Sequence, residues 1–127
     1  MKVWKIITQL LALFFLVQGL NWILDPSGAA EGLGMPLLDG IGRSTQIGDF
    51  AAFFFALGTM VGMGTYVGQA HWLYGGTLLL GSAAIMRTLA AIFHGAAFAG
   101  VLISFELACA VFLFVAAGKL QVVPSDD

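Results

Sequence analysis

Apolar positions gather into four runs, residues 3–24, 49–67, 72–93 and 98–117, each close to the roughly 20 residues a helix needs to cross a bilayer. Within each run apolar residues predominate and do not alternate with polar ones. Strands of a membrane barrel would alternate apolar and polar, so the pattern predicts helices. The polar breaks are unequal. Residues 25–48 make a long connection rich in Gly, Pro and acidic groups, whereas 68–71 and 94–97 leave room only for tight turns. The expected fold is all-α: residues 1–127 as one membrane domain, a polytopic four-transmembrane-helix bundle. Its last three spans run antiparallel to one another, and its first span joins them through the long loop.

Composition sharpens this reading. Soluble domains carry about 25% charged residues; this chain has 9%, against 60% hydrophobic. A chain of 127 residues has too much surface for so few polar groups to cover in water. The single cysteine, Cys109, lies in an apolar run, so there is no disulfide framework and no CxxC motif. A formal charge of −2 gives no basic face for nucleic acid.

Lysines set the expected orientation. Lys2 and Lys5 lie at the start of the first span and Lys119 follows the fourth, whereas Arg43 is the only basic residue in a loop that holds Asp25, Glu31 and Asp39. The positive-inside rule then puts both termini in the cytoplasm and the acidic loop outside. Trp4, Trp22, Tyr66, Trp72 and Tyr74 fall near span ends, where interfacial aromatics belong. The competing reading of the start is a signal peptide, with Ile6–Val17 as its apolar core and Ser27-Gly28-Ala29 as a cleavage site; the apolar run is long for that role.

The long loop contains Leu33, Met35, Leu37, Leu38 and Ile41. It either folds back over the outer mouth of the bundle or lies in the interface, or it is a plain flexible connector. Ser44 is the candidate cap of the second span.

Two ionisable residues lie where lipid makes them costly. Arg87 interrupts the third span and Glu106 the fourth. Such groups are normally paired or wet, and they mark function by default. A hairpin turning at His94-Gly95 sets them on adjacent helices at similar depth, so they are expected to neutralise each other. The alternative to a ligand-binding role is a purely structural ion pair that fixes helix register. His94 follows Arg87 by seven residues on nearly the same stripe, and Asp49 opens the second span from the same side. Asp49, Arg87, His94 and Glu106 are therefore the candidate site, ringing an outer cavity. As a metal site the set is weak, because Arg87 repels cations, so neither a metal nor another cofactor is expected. Gln18 and Asn21 share a face of the first span, either gluing helices or lining the same cavity. His71 belongs to the opposite membrane face. Ser82, Thr88 and Ser104 have no nucleophile motif around them; hydroxyls in helices often bond their own backbone.

Gly58, Gly62, Gly64 and Gly68 give the second span two small-xxx-small spacings for close helix packing, within the bundle or against another copy. Phe53-Phe54-Phe55 covers most of one turn, so at least one ring should face lipid or a partner.

Gly42-Arg43-Ser44, the Gly-rich second span, Gly81 with Arg87, His94-Gly95 and Glu106 together resemble the small four-helix membrane proteins of the DoxX-like superfamily, over about residues 40–117. The nearest likeness is to an uncharacterised bacterial branch with an Arg late in the third helix, an acidic-Gly turn and a Glu in the fourth. The chain departs from that branch at His94, where the branch more often has Asp. The resemblance implies a multi-pass protein of the bacterial inner (cytoplasmic) membrane. It brings relatives that are accessory subunits or escorts of membrane cargo, and no established enzyme activity.

The expected function is a non-enzymatic membrane module. Through its outer half it binds a small amphipathic molecule, a lipid or quinone, or a partner subunit, and it acts as a homo-oligomer or within a larger complex. The rival readings are a proton- or ion-coupled transporter or channel, in which Glu106 titrates, and an accessory subunit of a quinone-linked redox complex. Little below Glu106 in the fourth span offers a polar path, which weighs against the transporter.

Overall fold

The computed structural model describes residues 2–122. Those residues form five helices and no strand: α1 Val3–Leu24, α2 Pro26–Gly32, α3 Gly40–Val67, α4 Ala70–His94 and α5 Gly100–Val122. Four of the helices, all but α2, are long and apolar enough to cross a membrane. The architecture is that of a multi-pass helical membrane protein.

The long helices run antiparallel in sequence. Gln9 near the start of α1 donates to the Gly62 carbonyl late in α3 at 3.2 Å, while Trp22 at the other end of α1 stacks on Phe50. Thr77 donates to the Ala110 carbonyl at 3.0 Å, and Tyr74 to Gln121 Oε1 at 3.0 Å, registering α4 against α5. One end of the bundle carries the 25–39 segment and the 95–99 turn (the loop end). The other carries the start of α1, the 68–69 turn and the end of α5. α1 packs chiefly on α3, and α4 on α5. The two pairs join through α3 and α4, while α1 and α5 touch only sparingly.

Glycines set how closely these helices lie. A Cβ on Gly58 would stand 2.7 Å from Leu16 Cγ and 2.9 Å from the Ala12 carbonyl oxygen; one on Gly62 would meet Ala12 Cβ at 3.3 Å. The Gly58/Gly62 stripe is thus occupied by α1 of the same chain and is not free for a second copy. Gly64 seats Trp72 and Leu73 across the α3–α4 turn. Gly68 corrects the sequence reading. It has nothing within 4 Å of a Cβ and packs no helix. It ends α3 at φ 74°, its N–H bonded to the Gly64 carbonyl, the left-handed cap that glycine suits.

The core joins Phe15, Leu57, Val61, Leu73 and Leu113 with small residues such as Ala12, Ala116 and Ala117. Large apolar side chains on the outer faces, among them Leu10, Leu13, Leu78 and Val111, are more than half exposed. Contiguous apolar surface of that kind is foreign to a soluble monomer and ordinary in lipid.

The 25–48 connection is more structured than its composition indicates. Pro26 opens α2, and the Asp25 carboxylate accepts from the Gly28 N–H at 3.2 Å, the usual N-cap arrangement. α2 lays Ala29 and Ala30 over Trp22, which is 1% exposed, with Leu33, Met35 and Phe50 around it. Trp22 is therefore a buried keystone and not an interfacial anchor. α3 begins at Gly40, nine residues before the apolar run, and Ser44 lies inside it instead of capping it. Two side chains hold this polar extension. Arg43 pairs with Asp39 at 3.0 Å and donates to the Leu38 carbonyl at 2.7 Å. Gln46, 5% exposed, accepts from the Leu38 N–H at 2.9 Å and donates to the Pro36 carbonyl at 3.1 Å. These bonds replace the water that a free loop backbone would need. The loop folds back over the bundle end because Gln46 fastens it there.

Candidate functional site

Arg87 and Glu106 meet across the α4–α5 interface. The Arg87 Nε donates to both Glu106 carboxylate oxygens at 3.1 Å. The Arg87 side chain is 28% exposed and that of Glu106 12%. The pairing uses the guanidinium edgewise. Its two Nη atoms bond no acceptor among the described residues, and they are not sealed in, since no buried side-chain N or O there lacks a partner. Four N–H donors of a fixed planar fork thus have no acceptor among the described residues.

Both residues line a cavity of about 530 Å³ between the α1–α3 and α4–α5 pairs, towards the loop end. The volume lies within the usual range for small-molecule sites, about 300–1,000 Å³. Its walls are mostly apolar. Phe14 and Phe15 come from α1, Phe50, Phe53 and Phe54 from α3, and Phe105 from α5. Leu80 and Ala83 of α4 line it, and Gly32 and Leu33 contribute from the end of α2 and the residue after it. The polar lining is Gln18, Asp49, Arg87 and Glu106.

Of the residues singled out from sequence, Asp49, Arg87 and Glu106 share this cavity, and His94 does not. Seven helical residues carry His94 about 10 Å beyond Arg87 along α4. It is exposed there, in the last turn, a position where a basic side chain suits the helix dipole. Gln18 lines the cavity with no hydrogen bond to another described residue, whereas Asn21, a turn further on, lies outside it. Thr88 bonds the Ala84 carbonyl of its own helix at 2.9 Å. Among the described residues no three His, Cys, Asp or Glu side chains gather as a metal site would require.

The sequence reading takes Phe53-Phe54-Phe55 as packing or lipid-facing rings, whereas Phe53 and Phe54 line the cavity with four further phenylalanines. Phe53 follows Asp49 by one turn, Phe50 lies one turn before Phe53 and Phe54, and Phe14 and Phe15 precede Gln18 by one turn. Each polar lining residue on α1 and α3 thus shares a stripe with rings. Phe55, by contrast, is 63% exposed and faces outward.

The wall between α1 and α5 is thin. Phe14 and Phe105 stand edge to face there, ring centroids 5.8 Å apart. Both line the cavity on one side and are about 40% exposed on the other.

No family model matches the chain, and no curated protein or solved structure matches it significantly. The functional reading therefore stands on the site itself.

Proposed function

We propose that the protein is a non-enzymatic membrane binding module that holds a small amphipathic molecule in the cavity beside Arg87. The observation that carries this reading is the guanidinium: it is neutralised by Glu106 through Nε alone, it lines a phenylalanine-walled cavity, and its Nη donors are left over. An apolar pocket with a few convergent polar groups is the ordinary makeup of a ligand site. The polar head lies on Arg87 with Gln18 near it, and the tail leaves towards lipid between Phe14 and Phe105. The segment around Leu33 roofs the site.

On this reading the loop end faces outward from a bacterial inner membrane, with the lysine-bearing termini in the cytoplasm. The Arg87, Glu106 and glycine pattern supports placement near the DoxX-like superfamily. Cysteine labelling of intact cells, in a Cys109→Ala background, tests the orientation. Glu31→Cys is modified from outside and Ser125→Cys, beyond the described residues, only after permeabilisation; the reverse pattern inverts the topology.

Binding is tested by native mass spectrometry of gently solubilised protein. The wild type is expected to carry one amphiphile of defined mass, and the Arg87→Leu, Glu106→Leu double variant to lose it. If the double variant folds and keeps the same adduct, the ion pair is structural and the proposed site is wrong.

A further inference from the structure

Resting on that binding role, the chemistry of the lining narrows the class of ligand, and we infer that the occupant is an uncharged amphiphile whose head is a flat ring bearing hydrogen-bond acceptors. Three features of the cavity converge on it.

The first is charge. The only cation in the lining, Arg87, already has its counter-charge in Glu106 at 3.1 Å. What the guanidinium lacks is acceptors for its Nη donors, and a carbonyl or ether oxygen meets that need without adding charge. An anionic head would instead stand beside Glu106, whose charge already cancels that of Arg87. A cationic head fares no better. The carboxylate that pairs with no described residue, Asp49, is exposed, where water and salt weaken its pull, and the Arg87–Glu106 pair, already neutral, adds none.

The second is shape. Six phenylalanines line the cavity, three of them on two successive turns of α3. Rings stack and pack edge to face against other rings in a way they do not against a flexible alkyl head. Phe53 and Phe54 already lie at 87° to each other, centroids 5.4 Å apart, so the wall offers both a face and an edge. The third is polarity. Gln18 adds an amide that both donates and accepts, which suits a head with acceptors on more than one edge.

The test uses the full chain in nanodiscs of zwitterionic lipid, with saturable 1:1 binding read by native mass spectrometry. Three probes separate the classes: decylubiquinone as the neutral ring, oleate as the anion and tetraphenylphosphonium as the cation. The neutral ring probe is expected to saturate the site, and the two charged probes to bind at least about tenfold more weakly. Arg87→Lys keeps the charge but loses the planar fork, and weakens the neutral probe about tenfold, the loss of one good charge-assisted hydrogen bond. Phe53→Leu leaves the ion pair alone and weakens the same probe about threefold, as loss of one ring contact implies. Preferred binding of oleate or tetraphenylphosphonium overturns the ligand class while leaving the binding role intact. Saturation by none of the three overturns both. Neutral-probe affinity unchanged by both Arg87→Lys and Phe53→Leu overturns the inference, because neither the fork nor the rings then hold the head.

Discussion

Arg87 reaches Glu106 through its Nε alone, 3.1 Å from each carboxylate oxygen. Arginine–carboxylate pairs are frequently fork to fork, through two nitrogens. The edgewise geometry keeps the fork open. Even so, the pair is coupled, because removing either partner strands the other in a mostly apolar wall. Breaking a buried pair costs about 3–5 kcal/mol in soluble proteins, and the partial exposure of Arg87 puts this one at the low end. Arg87→Ala and Glu106→Ala are each expected to lower stability by about 3 kcal/mol on that scale, and the double variant to lose less than their sum. A double-mutant cycle on thermal unfolding in detergent measures the coupling; strict additivity would show that the two charges do not depend on each other.

Gln46 bridges α3 to the residues before it, accepting from Leu38 and donating to Pro36 while 5% exposed. Gln46→Leu leaves the Leu38 N–H and the Pro36 carbonyl to water, since both residues are exposed, and each lost bond costs about 0.5–1.5 kcal/mol. Because these bonds hold the segment beside Leu33, the effect is local. Hydrogen exchange at Leu38 is expected to speed up while exchange along α4 and α5 stays as in the wild type. Uniform acceleration across the helices would mean that Gln46 supports the whole fold and not the loop.

The spans were legible because lipid makes the demand simple: long apolar runs with internally satisfied backbones. α1 begins and ends where its apolar run does, at Val3 and Leu24. The start of α3 was not legible, because residues 40–48 are polar and glycine-containing, and what makes them helical is the distant company of Leu38 and Pro36. α2 escaped for a related reason. Seven residues with a proline and two glycines look like a loop until Trp22 supplies a surface for Ala29 and Ala30. At the site, intramembrane charge picked out Arg87 and Glu106 correctly as neighbours. Helical phase alone misplaced His94, since seven residues keep the stripe but add about 10 Å of height.

The glycines of α3 are expected to differ in what they tolerate. A methyl on Gly58 presses on α1 backbone, the Ala12 carbonyl at 2.9 Å and the Leu16 nitrogen at 2.9 Å, which cannot move without shifting the helix. Gly58→Ala should therefore cost about 1–3 kcal/mol, as overpacking does. Gly62→Ala meets a side-chain methyl at 3.3 Å and should cost less. Melting temperatures in one detergent rank the two. A change in subunit number with no change in melting for Gly58→Ala would place this stripe at an interface between copies.

Phe14 and Phe105 are the remaining test, because they divide the cavity from the surrounding lipid where α1 and α5 barely meet. If the ligand passes there, the two rings form a barrier to exchange more than a binding surface. Truncating both, in Phe14→Ala with Phe105→Ala, widens the slot and is expected to raise the dissociation rate about tenfold or more. That equals about 1.4 kcal/mol, one ring–ring contact at the upper end of its range. Enlarging one ring, in Phe105→Trp, is expected to slow association and dissociation together and leave the equilibrium affinity nearly unchanged. Exchange of a fluorescent amphiphile followed by stopped flow in nanodiscs measures both rates. Should Phe105→Trp change affinity while leaving the association rate alone, the ring is part of the binding wall and entry lies elsewhere, with the roof around Leu33 the next place to look.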